Sequence, residues 1–595
     1  MIKLSDYVMR YVSRLGIKHV FMLPGGGCMH LVDSLGKNKN LVFVANLHEQ
    51  ASAICADAYS QYTGNLGAAL VTTGPGGTNA ITGVAASWID SVPVLIISGQ
   101  VKRADMLKGK GVRQMGPQEV DIVSLVKPVT KYAVTVMDPQ AIKFHLDKAV
   151  YLAKEGRPGP VWIDIPLDVQ GALINEKKLE NFHQSKHSIR DKNLSQKITR
   201  LINLLNQSRR PVFLIGNGIR SKEGIGVFKK IAAKIGAPVL LTWRAADILE
   251  EDDPLYAGRP GSVGQRGANF TQQNADLIIC IGARLDSGQS AFSYENFAKG
   301  AKKAIVDIDI HEIRKINTKI DIAFNLGAEE FLGAFLARIK AVKVDARAWL
   351  KTCREWKNKY PVVPQEYFRQ KKPVNTYALV ETLSQLLSAK DVIVPGSSGS
   401  CSEITLQAFK VKSGQRIFNS PGLGAMGFGL PASIGACFAS GKKMVICLIG
   451  DGGLQHNLQE LELLKRYKLP VKLFVLNNNA YASIRSTQNR YFNGRKVACD
   501  PSSGLSLPDT QKIAKAYGLK AVRINNQAEM KGKIKAVLKS SGPVLCEVMV
   551  DPDLATQPRV TSRVMPDGRM VSLPMEDLWP PLPRKEFKAN MFRRL

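Results

Sequence analysis

The sequence predicts an α/β protein built from three doubly wound parallel-sheet domains, and three observations support this prediction. A chain of 595 residues is too long for one hydrophobic core and fits about three domains. Short apolar, β-branched runs alternate with helical patterns, as in parallel sheets covered by helices. Several runs end in glycine, acidic or amide residues, which belong at the edge where such sheets bind ligands. We expect domains at residues 1–175, 190–345 and 370–555, and a tail at 556–595 that wraps on the surface.

The composition is that of an ordinary globular chain, with 45% hydrophobic and 22% charged residues. Nine scattered cysteines without a Cys-x-x-Cys pair favour a reducing cytoplasm and argue against a zinc site. The longest apolar runs, such as 92–97, fall well short of the ~18 residues of a membrane span. Leu4, Val8 and Leu15 share one helical face, so we expect a folded first helix and no signal peptide.

The net charge of +32 is the one unusual bulk property. It is compatible with nucleic-acid binding, but Lys and Arg are spread along the chain and no nucleic-acid module is recognisable. A cationic surface that attracts small anionic substrates, or maintains solubility, is the preferred interpretation. A non-catalytic basic scaffold or nucleic-acid binder stays as the alternative from another class.

In the first domain, strands alternate with helices and polar turns. Strands are expected at 20–23, 41–45, 68–71, 92–97, 127–136 and 160–165. The first leads into Pro24 and Gly25, and the second leads through Glu49 into a helix at 51–62. A lone glutamate at a helix start is usually a surface acid favoured by the helix dipole. Because Glu49 follows an apolar strand and has apolar neighbours, we weigh it as a buried, functional acid.

The second domain follows a polar stretch at 175–195, which we interpret as an interdomain linker. Its strands are expected at 211–215, 239–242, 277–281 and 304–308. The first ends in Gly216-x-Gly218, a weak dinucleotide motif that is equally a plain turn at a strand end. A basic helical segment at 346–359 then leads to the third domain.

The third domain contains the most informative stretch of the chain. A strand at 392–394 precedes a small-residue turn, and a glycine-rich segment follows at 421–431. An apolar run at 445–449 ends in Gly-Asp-Gly-Gly, a helix is expected from Leu458, and a second run at 471–476 ends in three asparagines. This strand-helix-strand unit should be parallel and right-handed, so both polar clusters lie on one edge.

Asp451 and Asn478 at that edge offer the oxygen ligands that Mg²⁺ prefers. The glycines beside Asp451 let backbone N–H groups approach a phosphate at a helix N-terminus. Each cluster alone is often only a turn or a loop. Their 27-residue separation, with a helix and a strand between them, makes the pair a candidate magnesium-diphosphate clamp.

This Gly-Asp-Gly to Asn-Asn unit resembles the signature of thiamine diphosphate (ThDP) enzymes. The His-Glu-Gln-Ala and Ala-Asp-Ala-Tyr segments around Glu49, and Thr-Thr-Gly-Pro-Gly-Gly-Thr-Asn from Thr72, are similar to the pyrimidine-binding domain of the acetohydroxyacid synthase (acetolactate synthase) family. The resemblance covers nearly the whole chain outside the tail. It implies pyrimidine-binding, central and diphosphate-binding domains, with ThDP held between two subunits of a homodimer or homotetramer.

The resemblance also implies roles for individual residues. Glu49 corresponds to the glutamate that hydrogen-bonds N1′ of the aminopyrimidine. Asp451, the Asn478 side chain and the Ala480 carbonyl correspond to Mg²⁺ ligands. The further implied cofactor contacts are Pro24, Gly25, Asn79, Gln118, Ser398, Gly399, Ser400, Cys401, Gly424, Met426, Gly450, Gly452 and Gly453. Among these, the Gly424 carbonyl would accept from the 4′-amino group and Met426 would wedge beneath the cofactor.

The implied reaction is decarboxylation of a 2-keto acid, expected to be pyruvate, and ligation of the two-carbon unit to a carbonyl acceptor. Some family members hold a structural FAD near positions that resemble Arg157 and 282–286, while many relatives keep the fold without it. A simple 2-keto acid decarboxylase or lyase is an alternative within the same class.

The acceptor pocket departs from the family at four places. Pro117 precedes Gln118 where a phenylalanine is usual, Leu167 replaces a lysine, and Thr487 replaces a tryptophan. Ser400-Cys401 stands where a Gln-His pair is expected. We expect a roomier, cationic pocket, which would suit a bulky anionic acceptor such as a nucleotide-linked keto sugar.

Overall fold

A computed structural model describes residues 1–107, 109–184, 193–371 and 373–592. The chain divides into two compact units, each assembled from segments that are not contiguous in sequence. Unit 1 comprises Met1–Lys186, Lys390–Ser402 and Phe418–Pro552; unit 2 comprises His187–Ala389, Glu403–Ile417 and Asp553–Leu595. Three six-stranded sheets confirm the predicted α/β class, and the sheets of the first and third predicted domains both fall in unit 1.

The N-terminal sheet of unit 1 is parallel throughout. In spatial order its strands are Val42–Ala45, His19–Met22, Gly67–Val71, Val94–Gln100, Val161–Pro166 and Tyr132–Thr135. Its helices are Leu4–Arg14, Met29–Lys37, Glu49–Thr63, Pro75–Ile89, Ile122–Val126, Ile142–Lys154 and Leu167–Gly171. Ile2–Lys3 and Leu173–Ile174 add a small antiparallel pair. The strand expected at 127–136 is shorter than predicted because Pro128 lies in a 3₁₀ turn, Lys127–Val129.

The C-terminal sheet has the same layered architecture. The strands of this sheet that belong to unit 1 are, in spatial order, Val392–Pro395, Val445–Gly450, Val471–Asn477, Val544–Met549 and Lys520–Ile524. These five pair in parallel. Its helices are Ser400–Ala408, Gly429–Ala439, Asp451–Leu454, Leu461–Arg466, Ala482–Tyr491, Thr510–Ala516 and Gln527–Lys539. Val445–Gly450 and Val471–Asn477 are neighbours, so the prediction that both polar clusters share one edge is confirmed.

One predicted boundary in this sheet is wrong. The helical segment starts at Asp451 itself, as the short helix Asp451–Leu454, and not at Leu458. It continues as the 3₁₀ segment Gln455–Glu460, in which Asn457 is non-helical, and then as Leu461–Arg466. The apolar spacing used for the prediction starts late because the first turn consists of Asp451 and two glycines, which carry no periodic signal.

Two helices join the sheets of unit 1 into one hydrophobic core. Glu49–Thr63 packs against Gly429–Ala439, and both are almost entirely buried. The two backbones approach so closely that a Cβ on Gly435 would lie 2.2 Å from the Cys55 carbonyl oxygen. Glycine at position 435 therefore sets the spacing of the two helices.

Unit 2 contains the central sheet, which is also parallel. In spatial order its strands are Tyr256–Gly258, Val239–Leu241, Pro211–Ile215, Leu277–Ile281, Lys302–Asp307 and Ile322–Asn325. Its helices are Leu194–Gln207, Lys222–Ile235, Arg266–Gln273, Ile310–Arg314, Ala328–Ala337, Arg347–Lys359 and Thr376–Leu386. Of the predicted linker at 175–195, residues 185–192 lie outside the described residues.

The tail belongs to the core of unit 2. It forms a hairpin, Ser562–Val564 with Met570–Ser572, and a helix, Arg584–Ala589. Met575, Leu578 and Phe587 are buried, so the expectation of a tail wrapped on the surface is wrong for this part. The helix Arg266–Gln273 explains the difference, because all eight of its residues are buried and its polar side chains bond to the tail.

Two bulk predictions can be compared with the structure. All nine cysteines are free and buried, as expected for small apolar side chains. Within the part of the chain that the structure describes, no helix is long and apolar enough to cross a membrane.

Candidate active site

The candidate residues of the first domain follow four neighbouring strands at their carboxyl ends. Pro24 and Gly25 follow His19–Met22, and Glu49 follows Val42–Ala45. Asn79 lies in the first turns of Pro75–Ile89, and Gln118 lies in the loop after Val94–Gln100. This is the edge at which open α/β sheets bind ligands.

Close backbone approaches bring these segments together. A Cβ on Gly25 would lie 2.5 Å from the Thr72 side chain, and one on Gly74 would lie 2.3 Å from the Gln118 carbonyl oxygen. Gly74 has φ +61°, a conformation that glycine adopts without strain. The Gly-Pro-Gly-Gly sequence is therefore required by the way three loops meet at this edge.

Glu49 is the first residue of its helix and is only 5% exposed. The preceding His48 caps the helix, its Nδ1 accepting the N–H of Gln50 at 3.1 Å. Asn79 Nδ2 donates to Glu49 Oε2 at 3.0 Å, and a Cβ on Gly76 would lie 3.5 Å from Oε1. Asn79 thus fixes one carboxyl oxygen of Glu49. The other oxygen lies beside Gly76, which has no side chain to cover it.

Asp451 begins a helix at the edge of the C-terminal sheet and is 3% exposed. Its Oδ1 accepts the Gly452 N–H at 2.9 Å, and its Oδ2 accepts the Asn479 N–H at 2.7 Å. Burial raises the pKa of this carboxyl to about 6, although these backbone N–H groups oppose the shift. A buried carboxylate without a cationic neighbour is what a bound divalent ion would compensate.

The neighbouring loop presents further oxygen atoms. Asn478 is half-buried, and its Oδ1 accepts only the N–H of Ala480, at 3.1 Å, which leaves lone-pair capacity for an ion. Asn479 has φ +51°, so the loop turns sharply between Asn478 and Ala480. Among the described residues, no cluster of three or more His, Cys, Asp or Glu could hold a metal. The expected magnesium ligands include only one such side chain, Asp451, so they do not form a cluster of this kind.

The glycines around Asp451 fit a diphosphate. A Cβ on Gly452 would lie 2.4 Å from the Tyr481 ring, so only glycine is accommodated there. At Gly450 a Cβ would meet no atom within 4 Å, and at Gly453 the nearest is Ile449 at 3.5 Å. The backbone of this turn is therefore open at Gly450 and Gly453 and closed at Gly452.

The remaining cofactor candidates lie on two loops of the same sheet. Ser398, Gly399 and Ser400 are half-buried after Val392–Pro395, and Cys401 is buried with its thiol donating to the Ser398 carbonyl at 3.0 Å. Gly424 has φ +68° and donates its N–H to the Ser420 carbonyl at 3.2 Å. Met426, in the same loop, is half-buried.

The residues that depart from the family are mostly solvent-accessible. Pro117 is exposed, as is the neighbouring Gln118, which matches the family and has φ +67°. Thr487 is exposed on the helix Ala482–Tyr491, which buries none of its residues, and Leu167 is half-buried. Cys401 is the exception, since it is buried.

A residue that the sequence reasoning missed is Glu460, which is completely buried. Its Oε1 accepts the Leu47 N–H at 2.9 Å, and its Oε2 accepts from Asn46 Nδ2 at 2.9 Å. Both donors belong to the turn that precedes Glu49. A signal was present in the sequence: Glu460 precedes Leu464 by four residues and so lies on the apolar face of its helical segment.

Comparison with known families agrees with this geometry. Residues 2–125 match the N-terminal TPP binding domain of thiamine pyrophosphate enzymes, 198–335 their central domain, and 397–548 their C-terminal TPP binding domain. Thiamine pyrophosphate is another name for ThDP. Fold, sheet edges and family matches together define a ThDP-dependent enzyme.

Relatives along the whole chain narrow the class. The acetolactate synthase large subunit of Porphyra purpurea is 33% identical over 548 residues, covering 91% of this chain and 90% of that protein. The Lactococcus lactis subsp. lactis protein of the same name is 31% identical over 581 residues, 96% of each chain. The probable acetolactate synthase large subunit of Methanocaldococcus jannaschii is 32% identical over 583 residues, 96% of this chain and 94% of its own. The chain therefore belongs to the acetolactate synthase-like family of ThDP enzymes and acts as a carboligase or transferase.

Proposed function

We propose that this enzyme, with ThDP and Mg²⁺ bound, decarboxylates a 2-keto acid, pyruvate in the first instance, and ligates the two-carbon unit to a carbonyl acceptor. The observation that carries the proposal is the pair of buried carboxyl groups at two sheet edges, Glu49 beside Asn79 and Asp451 beside the Asn478 loop. When bound, ThDP would supply a nucleophilic carbon for attack on a keto group and a thiazolium ring that accepts the electron pair left behind when CO₂ departs.

Glu49 would hold the aminopyrimidine in its reactive tautomer. Its carboxyl group shares a proton with N1′, and burial strengthens such a hydrogen bond by lowering the local dielectric. Asn79 fixes one oxygen of the carboxyl group, so the other is oriented for the cofactor. Pro24, Gly25 and Gln118 would line the same pocket.

Asp451, Asn478 and the Ala480 carbonyl would hold Mg²⁺, which in turn would bind the diphosphate. Gly450, Gly452, Gly453 and the Ser398–Cys401 turn would approach the phosphate oxygens through their backbone. Gly424 and Met426 would orient the aminopyrimidine from the C-terminal domain.

The decisive experiment is Glu49→Gln. We expect kcat with pyruvate to fall by about 100-fold or more, the scale of a lost proton-transfer group. ThDP affinity, measured by quenching of tryptophan fluorescence, should change little. Glu330→Gln, an exposed acid of the central domain, is the matched control. Undiminished turnover in Glu49→Gln would contradict the assigned role.

The acceptor is a separate proposal. Exposure of Pro117, Gln118 and Thr487 supports a pocket with room for a second candidate, a nucleotide-linked keto sugar. Arg490 and Arg495, exposed on and just after the Thr487 helix, would favour its phosphates. Mass spectrometry of products from pyruvate with aldehydes, keto acids and sugar nucleotides tests this. Efficient acetolactate formation with no keto-sugar product would exclude it, and free aldehyde alone would indicate a decarboxylase.

We further infer a homodimer or homotetramer in the cytoplasm. Val42, Phe43 and Leu47, just ahead of Glu49, are 51%, 50% and 40% exposed, which supports a partner subunit covering this edge. FAD binding is a weaker proposal, because Gly216 and Gly218 are explained by their close packing against Gly282. A visible absorbance spectrum of the purified protein decides whether a flavin is present.

A further inference from the structure

The turn before Glu49, residues 45–48, is held by one segment of the C-terminal domain, residues 460–467, within unit 1. Ala45 donates its N–H to Tyr467 Oη at 3.2 Å, and its carbonyl accepts from Arg466 Nη1 at 3.3 Å. Glu460 accepts from the Leu47 N–H and the Asn46 side chain, each at 2.9 Å. Four hydrogen bonds therefore fix a turn of four residues.

The Glu460–Asn46 pair is the buried centre of this contact. Glu460 is 0% and Asn46 1% exposed, so each bond is made away from water. Asn46 also continues the sheet ladder, its N–H donating to the Met22 carbonyl at 2.9 Å. Displacement of the Asn46 side chain would thus disturb the backbone that leads into the Glu49 helix.

The helical stretch that contains Glu460 begins at the proposed metal site. Glu460 is the last residue of the segment Gln455–Glu460, which continues the short helix Asp451–Leu454. One continuous stretch therefore carries Asp451 at its start and holds the Glu49 turn at its end.

We propose that Glu460 is a positioning residue for Glu49: it fixes the Asn46–Leu47 backbone so that the Glu49 helix starts where its carboxyl group can reach the cofactor. This inference rests on the proposed function, which assigns the cofactor contact to Glu49. The surrounding structure offers little tolerance, because Glu49 is itself bonded to Asn79 and the helix body packs tightly against Gly429–Ala439.

The amide of Asn46 makes the pair adaptable. Its Oδ1 has no hydrogen-bond partner among the described residues, so a flipped amide can accept a proton donated by position 460. Burial raises the pKa of Glu460 to about 7, opposed by the Asn46 and Leu47 donors. Arg466 is the charged group facing it, and the buried Cys55 thiol lies near Asn46. Glu460 can therefore stay hydrogen-bonded to Asn46 whether its carboxyl group is protonated or ionised.

This chemistry defines a set of variants of the full-length holoenzyme. Glu460→Gln keeps the bond from Leu47 and can donate to Asn46 Oδ1, so kcat should stay within about threefold of wild type. Glu460→Ala should lower kcat about 10- to 100-fold, as expected for a misplaced catalytic group, with little change in the KM for pyruvate. Glu462→Gln, two residues further on and only half-buried, is the matched control.

If Glu460→Ala fails to fold, variants that exchange the acid and the amide of this pair test the proposal instead. At pH 8, Asn46→Asp removes the amide donor and places a second acidic group against Glu460, so it should shift the Asn46–Leu47 backbone and lower kcat. Asn46→Asp combined with Glu460→Gln restores a donor–acceptor pair and should return kcat to near wild type. A loss that the double variant does not repair, or an Asn46→Asp enzyme with wild-type kcat at pH 8, would overturn the proposal. So would a folded Glu460→Ala with wild-type kcat.

Hydrogen exchange separates this proposal from the proposed function. The Leu47 amide should exchange at least about tenfold faster in Glu460→Ala than in wild type, with or without ThDP, because its acceptor is lost. If wild type turns over no 2-keto acid, the proposed function fails while this readout still reports on the turn. If Leu47 exchange is unchanged in Glu460→Ala, the positioning role fails even in an active enzyme.

Discussion

Three buried carboxyl groups of unit 1 differ in what surrounds them. Glu460 is bonded to Asn46 and a backbone N–H, and Asp164 is bonded to Ser98, Gln100 and Thr135. Asp451 receives only backbone N–H groups of its own loops. The first two have the partners expected of structural acids, whereas Asp451 retains the lone-pair capacity that a metal ligand needs.

Replacing Asp451 by asparagine should weaken Mg²⁺ and ThDP binding together, because the ion would bridge this residue and the diphosphate. We expect a loss of at least about tenfold in ThDP affinity at fixed Mg²⁺, typical of a disturbed metal site. Fluorescence titration of ThDP measures it, and Asp567→Asn in the exposed tail hairpin is the control. Unchanged affinity in Asp451→Asn would refute the metal assignment.

Asp164 provides a prediction about pH. Burial raises its pKa from 3.8 to about 7. Between these values the folded state holds a proton that the unfolded chain has released, so the free energy of unfolding should fall as pH rises through this window. The contribution is at most about 4 kcal/mol.

Thermal unfolding at pH 5 and pH 8 tests this linkage. Wild type should lose more stability between the two pH values than Asp164→Asn, which has no proton to release at this position. An identical pH dependence for the two proteins would show that Asp164 is ionised in the folded state throughout.

At the scale of elements, sequence pattern located most strands because each is a short apolar run ended by glycine or a polar residue. Val445–Gly450 and Val471–Asn477 are within one residue of the prediction. Lys520–Ile524 was missed because two of its five residues are charged and it lies at an edge of the sheet, and Val544–Met549 because it includes a buried glutamate.

The candidate site was predictable where a motif has fixed spacing along the chain. Asp451 and Asn478 flank one strand-helix-strand unit, so their common edge follows from local sequence. The Glu460–Asn46 hydrogen bond joins residues 414 positions apart, and the local sequence around either residue does not predict such a pairing. The apolar strand and neighbours of Glu49 indicate a buried acid, and the family resemblance adds its role toward the aminopyrimidine.

The tail and the helix Arg266–Gln273 form one folding element in unit 2. Asn269 Nδ2 donates to the Met575 carbonyl at 2.6 Å, Arg266 Nη2 to the Pro580 carbonyl at 2.6 Å, and Asn274 Nδ2 to the Asn590 carbonyl at 2.9 Å. These donors are all buried. Asn269 Nδ2 and Asn274 Nδ2 also donate to the Gly261 and Phe270 carbonyls, at 3.1 and 3.0 Å, so the tail supplies the second acceptor of each amide.

Truncation after residue 574 should therefore destabilise unit 2 strongly. Each buried donor left without a partner costs about 1–3 kcal/mol, so several kcal/mol are expected in total. Differential scanning calorimetry would show a lower transition temperature. Val564→Ser in the exposed hairpin of the same tail should leave it unchanged. A truncated protein as stable as wild type would show that solvent replaces these acceptors without cost.

At the scale of the whole molecule, subunit association is the main untested expectation. Phe43→Asp places a charge on the exposed edge strand of the N-terminal sheet and should favour monomers. Analytical ultracentrifugation at a series of protein concentrations measures the shift, and specific activity should fall with the dimer fraction. Met570→Asp, an equally exposed apolar position in unit 2, is the control. A wild-type sedimentation profile for Phe43→Asp would exclude this edge as the interface.

The order in which the chain visits its two units has a consequence for biosynthesis. Unit 1 begins at the N-terminus, but its second segment starts only at Lys390 and its third, longer than the second, at Phe418. At ~5–20 residues per second, a ribosome needs roughly 10–40 s to make the intervening stretch. During that delay the nascent Glu49–Thr63 helix lacks the Gly429–Ala439 helix that covers it. Its apolar face is then exposed, and we expect chaperones to bind there.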